Sequence, residues 1–493
     1  MKIFDVNMAR VIKDQQIIRQ QVDKKIKCKK YEDAIKYIEL FSKLSYHFNN
    51  IYTDDFIESC IKNISDAIID EEKFEPHDVY FFYDSFSIDN RGLTQQYLRA
   101  LMSTNKDFIY VYPTSNGRNT EILSELKYAK NVSIYELDEN LTSINKIKKI
   151  NEIILKHQPK KAFLHLSPWD IEAQISLSYF SNIKRYLIDL TDHAFWLGKS
   201  CSDKFITFRD YGFEISRNYR GIKDSDILYL PYYPVLPLHP VEFQGFGEDL
   251  DLKGKVTIFT GGAFYKMYGK NFEFFEILKE IVQRNSNVVI LIAGSGNQNP
   301  IKKFIEKESL QEKIRLIGNR KDISQVFENI DIYLNTYPIM GALMSQYAIL
   351  KNKPLIGYSP ENIPCNEAES LFFNNNTKFT YSDKIEFYDK VAELVHSVKT
   401  NSSFMYDKLL HNESSFNDAF RELIDEHYRN ELNRQKKCFD RDAFSELYFE
   451  MENQSLKVYE LLILQTMKGT LLKDKPIYTL FNLLKYIVRN KLI

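Results

Sequence analysis

From Val256 to Tyr358 the sequence alternates short β-branched apolar runs with helical periods of about a dozen residues, and this alternation restricts the chain to very few folds. VTIFT ends in Gly261-Gly262, which reads as a tight glycine turn, and a helical period opens at Asn271 with Phe272, Phe275, Leu278 and Val282 on one face. VVILIA, IRLIG, DIYLN and PLIGY follow, separated by helices that start near Ile301, Asp322 and Ala342. Strands this short and this apolar, each followed by a helix, form parallel βα units covered on both faces. Ligands of such sheets lie beyond the carboxyl ends of the strands, so the residues after each strand are the ones to weigh.

The same grammar begins earlier, at Asp78. VYFFYD, FIYVYP, VSIYEL, KAFLHL, RYLIDLTD, KFITF and DILYLP alternate with helical stretches up to residue 230. Four prolines in PYYPVLPLHP (231–240) suppress helix and mark a linker. The reading is α/β: two Rossmann-like doubly wound parallel-sheet domains with helical N- and C-terminal extensions. Its boundaries are a helical extension over 1–75, a first domain over 76–230, the linker over 231–240, a second domain over 241–382 and a helical region over 383–493.

Composition narrows the partners. The 66 Lys and Arg balance 67 Asp and Glu, so no overall field favours nucleic acid, and 14% aromatic residues argue for packed cores. Five scattered cysteines without a C-x-x-C pair fit a reducing cytosol better than a disulfide frame or structural zinc. Neither a signal peptide nor a spanning helix is expected, because no apolar run is long enough.

Three stretches carry chemistry. In GGAFYKMYGKN, glycines let backbone amides approach a phosphate, and Lys266 or Lys270 can neutralise a diphosphate beside a helix start. In DIYLNTYPIMGALMSQ, a strand runs into Asn335-Thr336-Tyr337-Pro338 before the small pair Gly341-Ala342 opens a helix bearing Ser345 and Gln346. In DLTDHAFWLGK, a strand delivers Asp189, Asp192 and His193 next to Phe195, Trp196 and Leu197. A histidine there suits proton transfer from a hydroxyl, and an aspartate can hold its tautomer. Arg209, Arg217 and Arg220 on the next helix read as a solvated face or as phosphate and acceptor contacts. GSGNQNP has only the first two glycines of a dinucleotide fingerprint and follows the wrong strand for one. The D-x-D triplets at Asp224, Asp249 and Asp440 do not follow apolar strands, so no catalytic metal is expected.

Together these stretches resemble the GT-B glycosyltransferases, in particular the O-GlcNAc transferase-like group and related bacterial enzymes. By that resemblance Tyr265-Lys266-Met267 matches a triplet whose lysine contacts the donor diphosphate, with Gly261, Gly262 and Lys270 in the same loop. Gly341 and Ala342 then match backbone donors to the phosphates, with Thr336, Ser345 and Gln346 as polar donor-side groups and Gln346 reaching the ribose. Asp192-His193 matches an acceptor-side pair, joined by Arg209, with His193 as base or as sugar or phosphate ligand. The implied activity is metal-independent transfer of a hexosyl or N-acetylhexosaminyl group. It runs from a nucleotide-diphosphate sugar, UDP-linked, to a glycan, lipid-linked or protein hydroxyl in bacterial glycan or glycoprotein assembly. No cofactor is implied. A nucleotide-sugar 2-epimerase of the same fold and a non-catalytic partner subunit of a transferase complex are the alternatives.

At the end of the chain, Ile477, Leu480, Phe481, Leu484, Ile487 and Val488 recur at helical spacing among Lys473, Lys475, Lys485, Arg489 and Lys491. Such a basic amphipathic helix predicts either packing on the protein's own core or peripheral contact of a cytoplasmic protein with the inner face of the membrane.

Overall fold

A computed structural model describes residues 8–70, 74–86, 92–114, 121–189, 191–236, 241–247, 250–372, 377–400, 404–406, 409–427, 439–455, 474–481 and 484. The chain divides into two compact units. One comprises Met1–Leu230, Glu413–Leu432 and Lys457–Ile493; the other comprises Pro231–Asn412 and Asn433–Leu456.

The first unit opens with three helices, α1 (Met8–Lys27), α2 (Tyr31–Phe48) and α3 (Asp55–Ile68). Asp54 caps α3 by accepting from the Ile57 N–H, which satisfies one of the donors a helix start leaves open. The βα series follows: β1 (His77–Asp84), α4 (Gly92–Ser103), β2 (Phe108–Pro113), α5 (Glu121–Tyr128), β3 (Val132–Leu137) and α6 (Ser143–His157). It continues with β4 (Pro159–His165), α7 (Ile171–Tyr179), β5 (Lys184–Ile188), β6 (Lys204–Thr207), α8 (Asp210–Tyr219) and β7 (Ile227–Tyr229). All seven strands are parallel, in the order β3-β2-β1-β4-β5-β6-β7. Central β1 buries Tyr80 through Asp84 without interruption, whereas the edge strand β3 buries only Leu137. Two-sided burial explains why the central strands read as continuous apolar runs.

The second unit holds β8 (Val256–Ala263), α9 (Glu273–Arg284), β9 (Val288–Ser295), α10 (Asn299–Lys307), β10 (Ile314–Leu316) and α11 (Ile323–Glu328). After these come β11 (Ile332–Leu334), α12 (Ala342–Leu350), β12 (Leu355–Tyr358), β13 (Thr380–Tyr381) and α13 (Lys384–Lys399). Its sheet is also parallel, ordered β10-β9-β8-β11-β12-β13. Each sheet therefore has a topological switch point, between β1 and β4 in one and between β8 and β11 in the other.

The last stretch is shared between the units. The helix α14 (Glu413–Ile424) belongs to the first, where Phe416 and Phe420 meet the ring of Tyr97 edge-on at 5.5 and 5.9 Å, while α15 (Arg441–Ser455) belongs to the second.

Two local expectations are corrected. Gly261 and Gly262 do not form a turn: they extend β8 and pair with Ala293 and Gly294 of β9. A Cβ on Gly294 would sit 1.9 Å from the Gly262 carbonyl oxygen, so glycine is what allows the two strands to run on together. The helical period also does not start at Asn271. Asn271 and Phe272 have φ of 52° and 57°, and α9 begins at Glu273 with Phe274, Phe275, Ile277, Leu278, Ile281 and Val282 buried. Residues 237–240 of the expected linker lie outside the described residues, as do Lys473, Lys485, Ile487, Val488, Arg489 and Lys491 of the expected terminal helix. Among the described residues no helix is long and apolar enough to cross a membrane.

Candidate functional site

The carboxyl ends of β8 and β11 bring together residues that are some 75 positions apart in sequence. After β8 the chain makes a 3-10 turn over Phe264–Met267, and Lys266 Nζ donates to the Met340 carbonyl oxygen at 3.2 Å. In return the Ile339 N–H donates to the Lys266 carbonyl at 3.3 Å. Gly269 lies close enough to Pro338 that a Cβ would meet its ring at 3.3 Å. Lys270 turns elsewhere, to Glu446 Oε2 at 3.3 Å on α15. Of the two lysines, Lys266 alone is placed on the loop after β11.

That loop is fixed by a side chain the sequence reading did not single out. Asn335 is fully buried, and its Oδ1 accepts the Gly341 N–H at 3.0 Å. Thr336, also fully buried, donates its hydroxyl to the Ile339 carbonyl at 2.6 Å. The Gly341 amide expected to meet a phosphate is thus already committed. The open donors are the next three, on Ala342, Leu343 and Met344, because the first turn of a helix has no carbonyl upstream to receive them. All three residues are partly exposed, and the positive end of α12 lies with them. Gly341 permits the close approach: a Cβ there would lie 2.9 Å from the Tyr333 hydroxyl and 3.5 Å from the Gly261 carbonyl oxygen. Gly262, with φ of +147°, has nothing within 4 Å of where its Cβ would be, so this stretch of backbone borders open space.

The remaining donor-side side chains face inward. Ser345 is fully buried, and Gln346 donates its amide to the Tyr232 carbonyl at 3.1 Å, tying α12 to the stretch that opens the unit. The positive end of α9 is met by its own acid, since Glu273 accepts from Lys384 at 2.7 Å and from the Tyr337 hydroxyl at 3.2 Å.

In the first unit, the loop after β5 is gripped from several sides. Arg209 forms a two-point pair with Asp192, its Nη2 lying 2.8 Å from Oδ1, and Arg220 pairs with Asp189 at 2.7 Å. Both arginines are buried, at 2% and 3% exposure, so neither belongs to a solvated face; Arg217 does, paired with Glu214 at 2.7 Å. Burial raises the Asp192 carboxyl, but the adjacent Arg209 guanidinium outweighs it and holds the group well below the usual carboxylate range. For Asp189, burial and the Asp192 charge together push the carboxyl up. Asn49 donates to the His193 carbonyl at 2.7 Å, and Glu58 accepts from the backbone amides of Gly198, Lys199 and Ser200 at 2.7 to 3.1 Å. Phe195, Trp196 and Leu197 are core residues. Within the expected acceptor-side set only His193 keeps exposed surface. Its Nδ1 is 3.4 Å from Asp192, while Asp192 and Arg209 lie buried behind it.

No protein-family model matches the sequence, and no curated protein is similar to it. Solved structures are similar in fold. Anabaena HepE, in a complex with UDP and glucose and in one with UDP-glucose, superposes with a TM-score of 0.55 at 11% identity, over 71% of this chain and all of that one. An O-GlcNAc transferase from Thermobaculum terrenum superposes at 0.51 with 13% identity, over 87% of this chain and 82% of that one. At these identities the likeness is one of architecture: the chain has the two Rossmann-like domains of the GT-B fold.

Proposed function

We propose that the protein is a glycosyltransferase that takes a sugar from a nucleotide diphosphate, UDP-linked, and transfers it to a hydroxyl of a glycan, lipid-linked or protein acceptor. The observation that carries this reading is the convergence of Lys266 with the first turn of α12 at the switch point of the second unit. A cation and three open amides at one helix start form a metal-independent anion site, suited to the charge that develops on a departing diphosphate. The similar fold of HepE, solved with UDP and with UDP-glucose, supports the choice of donor. In this reading Gly262 allows the phosphates to approach β8. Thr336, Asn335, Ser345 and Gln346 set the position of the loop and helix rather than touch the ligand, and His193 is the acceptor-side contact, held by the buried Asp192–Arg209 pair.

The terminal segment supplies the proposed route to a lipid-linked acceptor. Asp474 accepts from Lys25 at 2.7 Å and from the Tyr37 hydroxyl at 3.0 Å, which anchors the helical residues 476–481 to α1 and α2. Ile477, Leu480 and Leu484 are 84%, 50% and 60% exposed, in a sequence without an acid after Asp474. An anionic membrane surface complements both the apolar face and the charge.

The deciding experiment is a thermal-shift panel of nucleoside diphosphates and their sugars, because a ligand that binds only the native state must stabilise it. UDP and UDP-sugars are expected to raise the melting temperature, and less so in Lys266→Ala. A protein indifferent to every nucleotide is not a transferase of this kind.

A further inference from the structure

Between α3 and α6 of the first unit lies a cavity that plays no part in the reading above. It measures about 190 Å³, with Ile68 and Ile69 at the end of α3 on one side and Ile144, Ile147, Lys148, Asn151 and Glu152 of α6 on the other. Steps of three and four residues put 144, 147, 148 and 151 on one stripe of α6, so the helix presents them together. Both walls are held by hydrogen bonds. Glu32 of α2 accepts the N–H groups of Ser143 and Ile144 at 3.1 Å, and the Ile69 N–H donates to the Ser65 carbonyl at 3.1 Å. The lining is chemically mixed. Four isoleucines supply apolar surface, while Asn151 is 4% exposed and its Oδ1 is buried with no hydrogen-bond partner among the described residues. A buried acceptor of this kind costs stability unless a donor is brought to it. Lys148 and Glu152, four residues apart, are exposed at the mouth. Glu152 accepts from Lys149 at 3.0 Å, an exposed pair of little strength that a ligand can replace.

We propose that this cavity is a carbohydrate-binding site that holds one pyranose ring. A C–H face of the ring lies against the isoleucines, and its hydroxyls donate to Asn151 Oδ1 and the Glu152 carboxylate and accept from Lys148 Nζ. A hydroxyl both donates and accepts, whereas an ionised carboxylate only accepts and an ammonium only donates, so neighbouring hydroxyls of one sugar serve all three groups at once. A hydrocarbon of the same size leaves the Asn151 acceptor unmet. An anionic ligand is opposed by Glu152 and a cationic one by Lys148, which selects a neutral polyol. A cavity of about 150 Å³ takes one benzene molecule, so the volume here suits a single substituted six-membered ring. The site binds without a chemical step and without a nucleotide, and all its groups belong to the first unit. It therefore stands apart from the transferase reading of the second unit.

The test uses the full chain labelled at the isoleucine δ1 methyl groups, with the signals of Ile68, Ile69, Ile144 and Ile147 assigned by single Ile→Val substitutions. The probes are the methyl glycosides of glucose, galactose and N-acetylglucosamine, with cyclohexanol as a ring that carries a single hydroxyl. At least one glycoside is expected to move these four signals with a millimolar Kd, and cyclohexanol to move them far less. Asn151→Leu is expected to weaken sugar binding by about tenfold or more, and Lys148→Ala and Glu152→Ala by about threefold or more each. Signals indifferent to every sugar overturn the proposal, because the cavity then holds water only. Signals moved as strongly by cyclohexanol as by the best glycoside overturn it too. Lys148 and Glu152 are exposed, so their variants keep the test decisive even if Asn151→Leu fails to fold. Sugar binding by both alanine variants within about twofold of the wild type overturns the proposal. Absence of any nucleotide shift in melting temperature is a separate failure: it removes the transferase reading, while the sugar titration still decides the cavity.

Discussion

At the switch point of the first unit the central strands end in Asp84 and His165, and the loop beyond β5 carries two buried ion pairs. At the switch point of the second unit, β8 ends in Gly261-Gly262-Ala263, and β11 runs into an asparagine whose side chain holds the next loop. The sheets share a topology, but one presents titratable side chains and the other presents backbone amides with a single lysine. The contrast has a physical consequence. A site of side chains is vulnerable to single substitutions and to pH, whereas a site of amides is vulnerable only where a glycine or a loop anchor sets the backbone.

The largest effect should come from breaking the side-chain system. Arg209→Gln takes the guanidinium away from the buried Asp192 carboxylate and should cost about 3 to 5 kcal/mol in chemical denaturation. Because Arg209 holds the folded-state pKa of Asp192 down, the pair adds stability that is present above the unfolded carboxylate value near pH 3.9 and is lost as pH falls below it. Acid unfolding of Arg209→Gln should therefore begin at higher pH than in the wild type. An unchanged acid limb would show that the ion pair contributes no net stability.

Next in size is Lys266→Ala, which removes the cation beside the start of α12. Loss of a charge-stabilising donor should raise the barrier by about 3 kcal/mol, roughly 100-fold in turnover, with little change in melting temperature. Comparable losses of stability and turnover would put Lys266 in the scaffold and erase the contrast. Gly262→Ala comes third. With open space around the added methyl, the only penalty is the φ of +147°, about 1 to 3 kcal/mol in denaturation, and nucleotide affinity should fall with it. Smallest for the fold is removal of residues 476–493, which should leave the melting temperature almost unchanged yet abolish flotation with anionic liposomes at low salt. Flotation that persists after truncation rules out the terminal helix as the membrane contact.

Much of this organisation could be read from the residues. The central strands are buried on both faces, so VYFFYD and VVILIA announce themselves as unbroken apolar runs. The misreadings arose where tertiary contact overrides local pattern. Gly261-Gly262 looks like a turn until Gly294 is known to run beside it. Arg209 and Arg220 read as a helix surface because their partners, Asp192 and Asp189, lie 17 and 31 residues upstream. Strand β13 has only two residues, too few for any periodicity. At the sites, Lys266 and the start of α12 were visible as a lysine after glycines and a small-residue helix opening. Asn335 was quoted but not weighed, because its role depends on which amide it meets.

The division of the C-terminal stretch between the units has a consequence for biogenesis. Unit one needs α14 to cover Tyr97 and Phe163, yet the segment that contains it begins at Glu413, 183 residues after the first segment of that unit ends at Leu230 (413 minus 230). At ribosomal rates of 5 to 20 residues per second, roughly 10 to 40 seconds pass between completing the sheet and delivering its cover. Until α14 is made, Tyr97 and Phe163 lack the rings of Phe416 and Phe420 that pack on them in the folded unit.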